Sequence, residues 1–286
     1  MLSRVRTAIG EHDTVRRMPH PYFELPRPIV IGHRGAAGKR PENTLAAFAR
    51  GLEAGAAILE SDLHLTCDGV VVMAHDETVD RTTDGAGRLR GFSFAELSKL
   101  DAGYRFSPDG GRSFPFRGQG LRIPTLEEGF KAFPGVRFNL ELKVDEPALV
   151  ERTVALVKRE GRAAITLLTA EGDALMARLR AHLRATAVPV AVGAAAGDVL
   201  RFVRAALDGR APPPEPMALQ VPANFAGRPL VTRELVAHAH AHGVQVHVWT
   251  INDPPEMERL LELGVDGLVT DFPERMKALL RRRTVP

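Results

Sequence analysis

The chain is poor in cysteine and in aromatic side chains. Cys67 is the only cysteine among 286 residues, so no disulfide can form within the chain. This cysteine usage suits a reducing compartment, and we expect a cytoplasmic protein. Aromatic residues make up 6% of the sequence, and basic residues are scattered among acids with a net charge of only +3. Because nucleic-acid binding usually requires a dense basic stripe, we expect no nucleic-acid partner.

Long apolar runs are also missing. No stretch approaches the ~20 apolar residues that span a bilayer, so the sequence predicts no integral membrane segment. The N-terminus has charges throughout and lacks the apolar core of a secretory signal. We expect residues 1–27 to form a polar leader and residues 28–286 to form one domain. The pattern gives no indication of the oligomeric state.

The sequence does contain nine short apolar or β-branched runs, mostly separated by helical patterns. This alternation predicts a parallel α/β architecture, and we predict a (β/α)8 TIM-type barrel. One run must then lie outside the barrel, and the pattern does not identify it. Only Thr66 to Gly69 join the second and third runs, which predicts a hairpin-like pair. The first helix is predicted in NTLAAFARGLEAG, capped by Asn43 or Thr44 and ended by Gly55.

Residues 92–124 interrupt the alternation. They hold a short helical pattern and then a stretch rich in glycine, proline and phenylalanine, SPDGGRSFPFRGQG. A connection of this length is typically functional or flexible. We interpret it as a small insertion after the third strand that covers one end of the barrel.

Three acidic residues stand out because they interrupt apolar strand patterns. Glu60 and Asp62 are two residues apart on the second strand, so their side chains point to the same face. Glu141 lies in another strand pattern, FNLELK. Buried carboxylates repel one another, and a bound cation offsets that cost. Three oxygen donors predict one Mg²⁺ or Ca²⁺ rather than Zn²⁺. The alternative is that these acids pair with Arg or Lys at the barrel rim.

Two histidines end predicted strands. His33 ends the first and His75 ends the third. Active sites of (β/α)8 barrels lie at the carboxyl ends of the strands, so the two rings are candidates for a general base and a general acid. Asp76 could orient His75, although neighbouring residues on a strand face opposite ways.

Two basic residues accompany the acids. Arg34 follows His33 and offers a planar fork of donors that suits a phosphate. Lys143 shares a strand face with Glu141 and could neutralise the same anion. Each could instead be an ion-pair partner of a nearby acid. Trp249, the only tryptophan, ends a predicted strand and lies either in the barrel mouth or in the core.

Several motifs together resemble those of the glycerophosphodiester phosphodiesterases. The opening motif is GHRGAAGKRPENTLAAF, and the long second motif is ILESDLHLTCDGVVVMAHDETVDRTTDGAG. RIPTLEE, FNLELK, VHVWTIND and GVDGLVTDFP follow in the order expected for that family. The resemblance extends from about Pro28 to Pro273, and the second motif is its most specific part.

The resemblance implies a TIM-type barrel that hydrolyses small glycerophosphodiesters to an alcohol and sn-glycerol 3-phosphate with one divalent metal ion, Mg²⁺ or Ca²⁺. It also implies a role for each of eight residues. The metal ligands would be Glu60, Asp62 and Glu141, the acid–base pair His33 and His75, the phosphate contacts Arg34 and Lys143, and the aromatic residue of the pocket Trp249.

Other functions remain open from the sequence. A lysophospholipid-directed phosphodiesterase of phospholipase D type on the same barrel would need an apolar or membrane-docking surface, which the phenylalanines of residues 92–124 could provide. A non-enzymatic binding barrel would have no chemical need for His33, His75 and the three acids. A metal-dependent aldolase or lyase would not require paired histidines beside Arg34.

Overall fold

Eight parallel strands form a nearly closed barrel in the computed structural model, which describes residues 20–283. The strands along the chain are β1 (Ile29–Gly32), β2 (Ile58–Leu65), β3 (Val71–Met73), β4 (Arg137–Leu142), β5 (Thr166–Ala170), β6 (Ala191–Val192), β7 (Ala218–Pro222), β8 (Asn224–Phe225), β9 (Arg228–Pro229), β10 (Gln245–Trp249) and β11 (Gly267–Thr270). The predicted TIM-type fold is therefore confirmed.

The barrel strands follow the order β6-β5-β4-β2-β1-β11-β10-β7. β6 and β7 meet only through a bridge between Gly193 and Ala218 and a hydrogen bond from the Met217 backbone N to the Val192 backbone O at 2.9 Å. Strands β1, β2 and β11 are buried along their whole length. Burial on both faces explains why β1 and β11 are apolar runs in the sequence, and it makes the polar residues of β2 stand out.

Of the nine predicted strands, β3 is the one that lies outside the barrel. It pairs antiparallel with β2, with Leu63 opposite Met73. Gly69 has a φ of +80°, as a tight turn between the two strands requires. The predicted hairpin is confirmed, and the chain re-enters the barrel only at β4.

Helices cover the outside of the barrel. They are α1 (Leu45–Glu53), α2 (Phe94–Leu97), α3 (Leu126–Ala132), α4 (Pro147–Arg159), α5 (Asp173–Thr186), α6 (Ala196–Asp208), α7 (Arg233–Ala241), α8 (Pro254–Glu262) and α9 (Pro273–Arg283). The Thr44 side chain caps α1 by accepting a hydrogen bond from the Ala47 backbone N, which agrees with one of the two predicted caps. Within residues 20–283, no helix combines the length and apolarity needed to cross a bilayer.

Two apolar layers hold the barrel together. Between strands and helices, Phe48 of α1 packs edge to face on Phe138 of β4, with ring centroids 5.8 Å apart. Inside the barrel, alternate strand residues form a separate layer, which consists of Ile29, Ile31, Ile58, Leu167, Ala191, Ala218 and Val269. Tyr22 belongs to this inner layer, so residues 20–27, the end of the predicted leader, pack at the amino end of the barrel. Residues 1–19 of that leader lie outside the described residues.

The predicted insertion packs around a small apolar cluster of its own. Leu97, Ala102 and Ile123 are buried against Val72 and Val79. The guanidinium of Arg40, in the loop after β1, lies over the Phe116 ring at 5.0 Å. These contacts fix residues 92–124 beside the carboxyl end of the barrel.

We predict that His247 makes the fold less stable in mild acid. Burial in β10 lowers the pKa of this histidine to about 4, so the folded protein resists protonation at a site that the unfolded chain protonates near pH 6.5. The free energy of unfolding should therefore fall by up to roughly 3 kcal/mol as the pH drops from about 6.5 to about 4. Urea unfolding at several pH values across this range should show a smaller loss of the free energy of unfolding for His247→Leu than for the wild type. The same dependence on pH in both proteins would contradict the role of His247.

Candidate active site

The predicted site residues converge at the carboxyl end of the barrel. His33 and Arg34 follow β1, and the paired strands β2 and β4 place Asp62 opposite Glu141. Glu60 lies two residues before Asp62 on the same face of β2. Lys143 follows β4 directly. Strand pairing therefore brings together groups that are far apart in the sequence.

A left-handed turn after β1 shapes the first wall of the site. Arg34 has a φ of +47° and Gly35 a φ of +91°. The turn aims the Arg34 backbone N at the Glu60 Oε2, to which it donates a hydrogen bond of 2.9 Å. A Cβ at Gly35 would lie 2.5 Å from the Ala47 carbonyl carbon, so only glycine fits there.

The carboxylates form a crowded group of negative charge, in which Glu60 and Asp62 are buried and Glu141 is half-buried. Burial and the neighbouring charge of Asp62 raise the pKa of Glu60 to about 7. Burial also raises the pKa of Glu141, while Lys143 partly opposes that shift. Such raised values show that the site disfavours additional negative charge unless a cation balances it.

The basic side chains provide part of that balance. Arg34 Nε lies 3.5 Å from Asp62 Oδ2, and Lys143 Nζ lies 3.6 Å from Asp62 Oδ1 and 3.0 Å from Glu141 Oε2. The amide of Asn43 also donates to Asp62 at 3.1 Å. These are the ion pairs that the alternative interpretation of the acids expects. Within residues 20–283, no three His, Cys, Asp or Glu side chains form a group that could hold a metal ion as they stand.

His33 is held rigidly by the barrel. Its Nδ1 is hydrogen-bonded to Asp271 Oδ1, just after β11, at 2.7 Å, and the Asn252 amide holds the other Asp271 oxygen at 2.6 Å. The opposite nitrogen, Nε2, lies 4.0 Å from Glu60 Oε2 and so faces the acids. Burial opposes charge on the ring, but the Asp271 hydrogen bond and the charge of Glu60 together raise the pKa of His33.

Asp271, the partner of His33, and Asn252, which holds Asp271, were not predicted from the sequence. Both follow barrel strands at their carboxyl ends, in the motifs TDFP and IND. That position is the signal that could have revealed them.

His75 is held differently from His33. Its predicted place at the end of the third strand lies outside the barrel, because β3 is not a barrel strand. It lies in the loop after β3, where its Nδ1 is hydrogen-bonded to Asp76 Oδ1 at 2.6 Å. Neighbouring side chains can meet there because the backbone is not extended. His64 Nε2 is hydrogen-bonded to the His75 backbone O at 3.0 Å.

Trp249 lies at the carboxyl end of β10 and is 44% exposed. The side chain therefore belongs to the rim of the mouth and not to the core.

Known proteins are similar to this chain in sequence and in fold. Residues 33–275 match the model of the glycerophosphoryl diester phosphodiesterase family. A glycerophosphodiester phosphodiesterase from Caldanaerobacter subterraneus subsp. tengcongensis is 35% identical over 265 residues, covering 89% of this chain and 98% of that protein. A human lysophospholipase D is 29% identical over 87% of this chain and 85% of that protein.

Solved structures agree. A putative glycerophosphoryl diester phosphodiesterase from Silicibacter pomeroyi has a TM-score of 0.75 and 28% identity, covering 92% of this chain and 97% of that one. A phosphodiesterase from Oleispira antarctica, in complex with the product sn-glycerol-3-phosphate, has a TM-score of 0.72 and 27% identity, covering 91% and 99%. Fold and sequence together define a phosphoric diester hydrolase on a TIM-type barrel. The chain belongs to the glycerophosphoryl diester phosphodiesterase family.

We predict that Asp271→Asn lowers kcat by about 10²-fold, because a misoriented catalytic group costs roughly that much. Asparagine keeps the size of the side chain but removes the charge that orients the His33 ring. Hydrolysis of glycerophosphocholine would measure the effect. Asp253→Asn is the matched control, since Asp253 caps α8 close by through a bond that asparagine can also make. Equal kcat values for the two variants would show that Asp271 does not act on His33.

Proposed function

We propose that this enzyme hydrolyses glycerophosphodiesters to an alcohol and sn-glycerol 3-phosphate, that it depends on a divalent metal ion, and that two histidines move the protons. The observation that supports this best is the position of His33 Nε2, which lies 4.0 Å from Glu60 Oε2 beside the carboxylates of two neighbouring strands. The Oleispira antarctica relative, whose complex holds sn-glycerol-3-phosphate, supports the identity of the product.

Glu60, Asp62 and Glu141 are the residues that would hold Mg²⁺ or Ca²⁺. Their donors are all oxygen atoms, which these ions prefer. The raised pKa of Glu60, near 7, indicates a site that gains from an added positive charge. The carboxylates would have to turn from Arg34 and Lys143 to bind an ion. When bound, a divalent ion supplies Lewis-acid polarisation of a phosphoryl oxygen.

Arg34 and Lys143 would contact the phosphate. Both side chains are largely buried and lie on either side of Asp62. The Arg34 guanidinium offers paired donors that match phosphate oxygens, and the Lys143 ammonium acts as a point charge. Together they would stabilise the negative charge that grows on the phosphate in the transition state.

We assign proton donation to His33 and proton acceptance to His75. The hydrogen bond to Asp271 and the charge of Glu60 raise the pKa of His33 against the effect of burial, which favours the protonated ring that a donor needs. His75 would then take a proton from the nucleophile while His33 protonates the leaving alkoxide. Either water or a glycerol hydroxyl of the substrate can serve as nucleophile, and trapping a cyclic glycerophosphate would identify the hydroxyl.

We predict that EDTA abolishes hydrolysis of glycerophosphocholine and that added Mg²⁺ or Ca²⁺ restores it. His33→Ala and Glu60→Ala should lose at least about 10²-fold in kcat, since acid–base and electrostatic contributions are each of that size. Glu256→Gln, which removes a half-buried carboxylate of α8 that pairs with Arg259, is the control and should keep full activity. Turnover that survives both EDTA and Glu60→Ala would exclude the metal assignment.

A second candidate function is hydrolysis of lysophospholipids. Two exposed aromatic residues lie beyond the carboxyl ends of neighbouring strands, Phe225 after β7 at 63% exposure and Trp249 at the end of β10. Phe225 occupies the β8–β9 hairpin, whose residues are exposed. An acyl chain would cover such apolar surface. The human relative named as a lysophospholipase D makes this substrate class relevant.

We predict that Phe225→Ser separates the two substrate classes. If the rim binds an acyl chain, this variant should lose about tenfold to 10²-fold in kcat/KM on lysophosphatidylcholine, since losing burial of one aromatic ring costs roughly 1.5–3 kcal/mol. Its activity on glycerophosphocholine should stay unchanged. The control is Leu207→Ser in the last turn of α6, which is 82% exposed and remote from the mouth. Equal activity of the wild type and Phe225→Ser on both substrates would exclude the rim as an acyl site.

A further inference from the structure

The two histidines differ in how the fold supports them. His33 follows barrel strand β1 and is braced by Asp271 after β11, which pairs with β1 along its whole length. His75 follows β3, which pairs with β2, forms one further bridge from Val72 to Thr125, and has no place in the barrel. The position of the His75 ring must therefore come from side-chain contacts as well as from backbone pairing.

A chain of charged contacts leads away from His75. Asp76 binds the ring through Oδ1 at 2.6 Å. Arg81 donates to Asp76 from Nε at 2.6 Å and from Nη2 at 3.1 Å. The same guanidinium donates to both Glu42 oxygens, from Nη1 at 2.6 Å and from Nη2 at 2.7 Å. Arg81 therefore holds two carboxylates at once through its planar fork.

Glu42 connects this series of contacts to Arg34, in the loop after β1. It lies between β1 and α1, and its Oε1 also accepts a hydrogen bond from Arg34 Nη1 at 2.8 Å. The Arg81–Glu42 contact joins residues 39 positions apart in the sequence. It therefore ties the loop after β3 to the loop that carries Arg34.

We propose that Arg81 and Glu42 are positioning residues, which fix the ring of His75 through Asp76 relative to Arg34 and the barrel mouth. This inference rests on the proposed role of His75 in proton transfer. Neither residue needs to touch the substrate. Arg81 is the cleaner one to test, because Glu42 also contacts Arg34.

Stability alone does not account for the arrangement. The Arg81 side chain is 48% exposed, and a single ion pair at such a position contributes only ~0–1 kcal/mol to folding, with somewhat more expected from a two-carboxylate network. Geometry is a different matter, since a catalytic group displaced by about 1 Å can cost 10²-fold in rate. Replacing Arg81 should therefore affect turnover far more than stability.

Arg81→Ala in the full chain, with Mg²⁺ present, tests the proposal. We expect kcat for glycerophosphocholine to fall about tenfold to 10²-fold, with little change in Tm or in the Kd for sn-glycerol 3-phosphate. Added guanidinium ion should restore part of kcat, because the vacated position is open to solvent, whereas urea at equal concentration should not. Arg259→Ala is the matched control. Arg259 is 44% exposed and forms a similar two-bond pair with Glu256 on α8.

His75→Ala and the double variant separate the possible failures. If His75→Ala keeps a small residual kcat and adding Arg81→Ala lowers that residual kcat no further, the two residues act through one group, as proposed. Wild-type kcat in Arg81→Ala, while His75→Ala is inactive, would overturn the positioning role and leave the proposed function intact. Full activity of His75→Ala would instead overturn the role of His75 in the proposed function. Loss of kcat without guanidinium rescue, together with a large fall in Tm, would mean that Arg81 only stabilises the fold.

Discussion

The concentration of negative charge at the carboxyl end of the barrel is the constraint on which the rest of the site depends. Glu60 and Asp62 share one face of β2, and Glu141 lies opposite Asp62 on β4. Carboxylates buried this closely are costly unless positive groups accompany them. Arg34 and Lys143 contact the acids directly, and the left-handed turn after β1 adds a backbone N–H. A site of this kind suits the cation and the phosphate of the proposed function, since each would offset the charge of the other.

The fold could be predicted well from the sequence because the patterns of its strands and of its helices are both local. Barrel strands are buried on two faces and appear as short apolar runs, while α1 shows its Thr44 cap and its terminal glycine at Gly55. The position of β3 could not be predicted in this way. VVVM has the same composition as a barrel strand, and only the short connection to β2 distinguishes it.

The site was predictable for residues that interrupt apolar strands and much less so for their partners. Glu60, Asp62 and His33 attract notice because a charged or polar group in such a strand needs a reason. Asp271 lies 238 residues from His33, and no local pattern links them. Arg81 occurs among other polar residues in a loop, where a charged side chain is unremarkable. Partnerships of this kind are set by the closure of the barrel, which only tertiary structure reveals.

The incomplete junction between β6 and β7 has a mechanical consequence. One bridge joins these strands, whereas β1 and β11 pair along their full length on the other side of the barrel. The unit formed by β7, β10 and β11 is thus attached firmly along one edge and weakly along the other. Local opening would begin at the weak edge, with the β1–β11 ladder as the hinge. Since Asp271 and Arg34 lie on opposite sides of that hinge, their alignment would survive an excursion that opens the far side of the barrel.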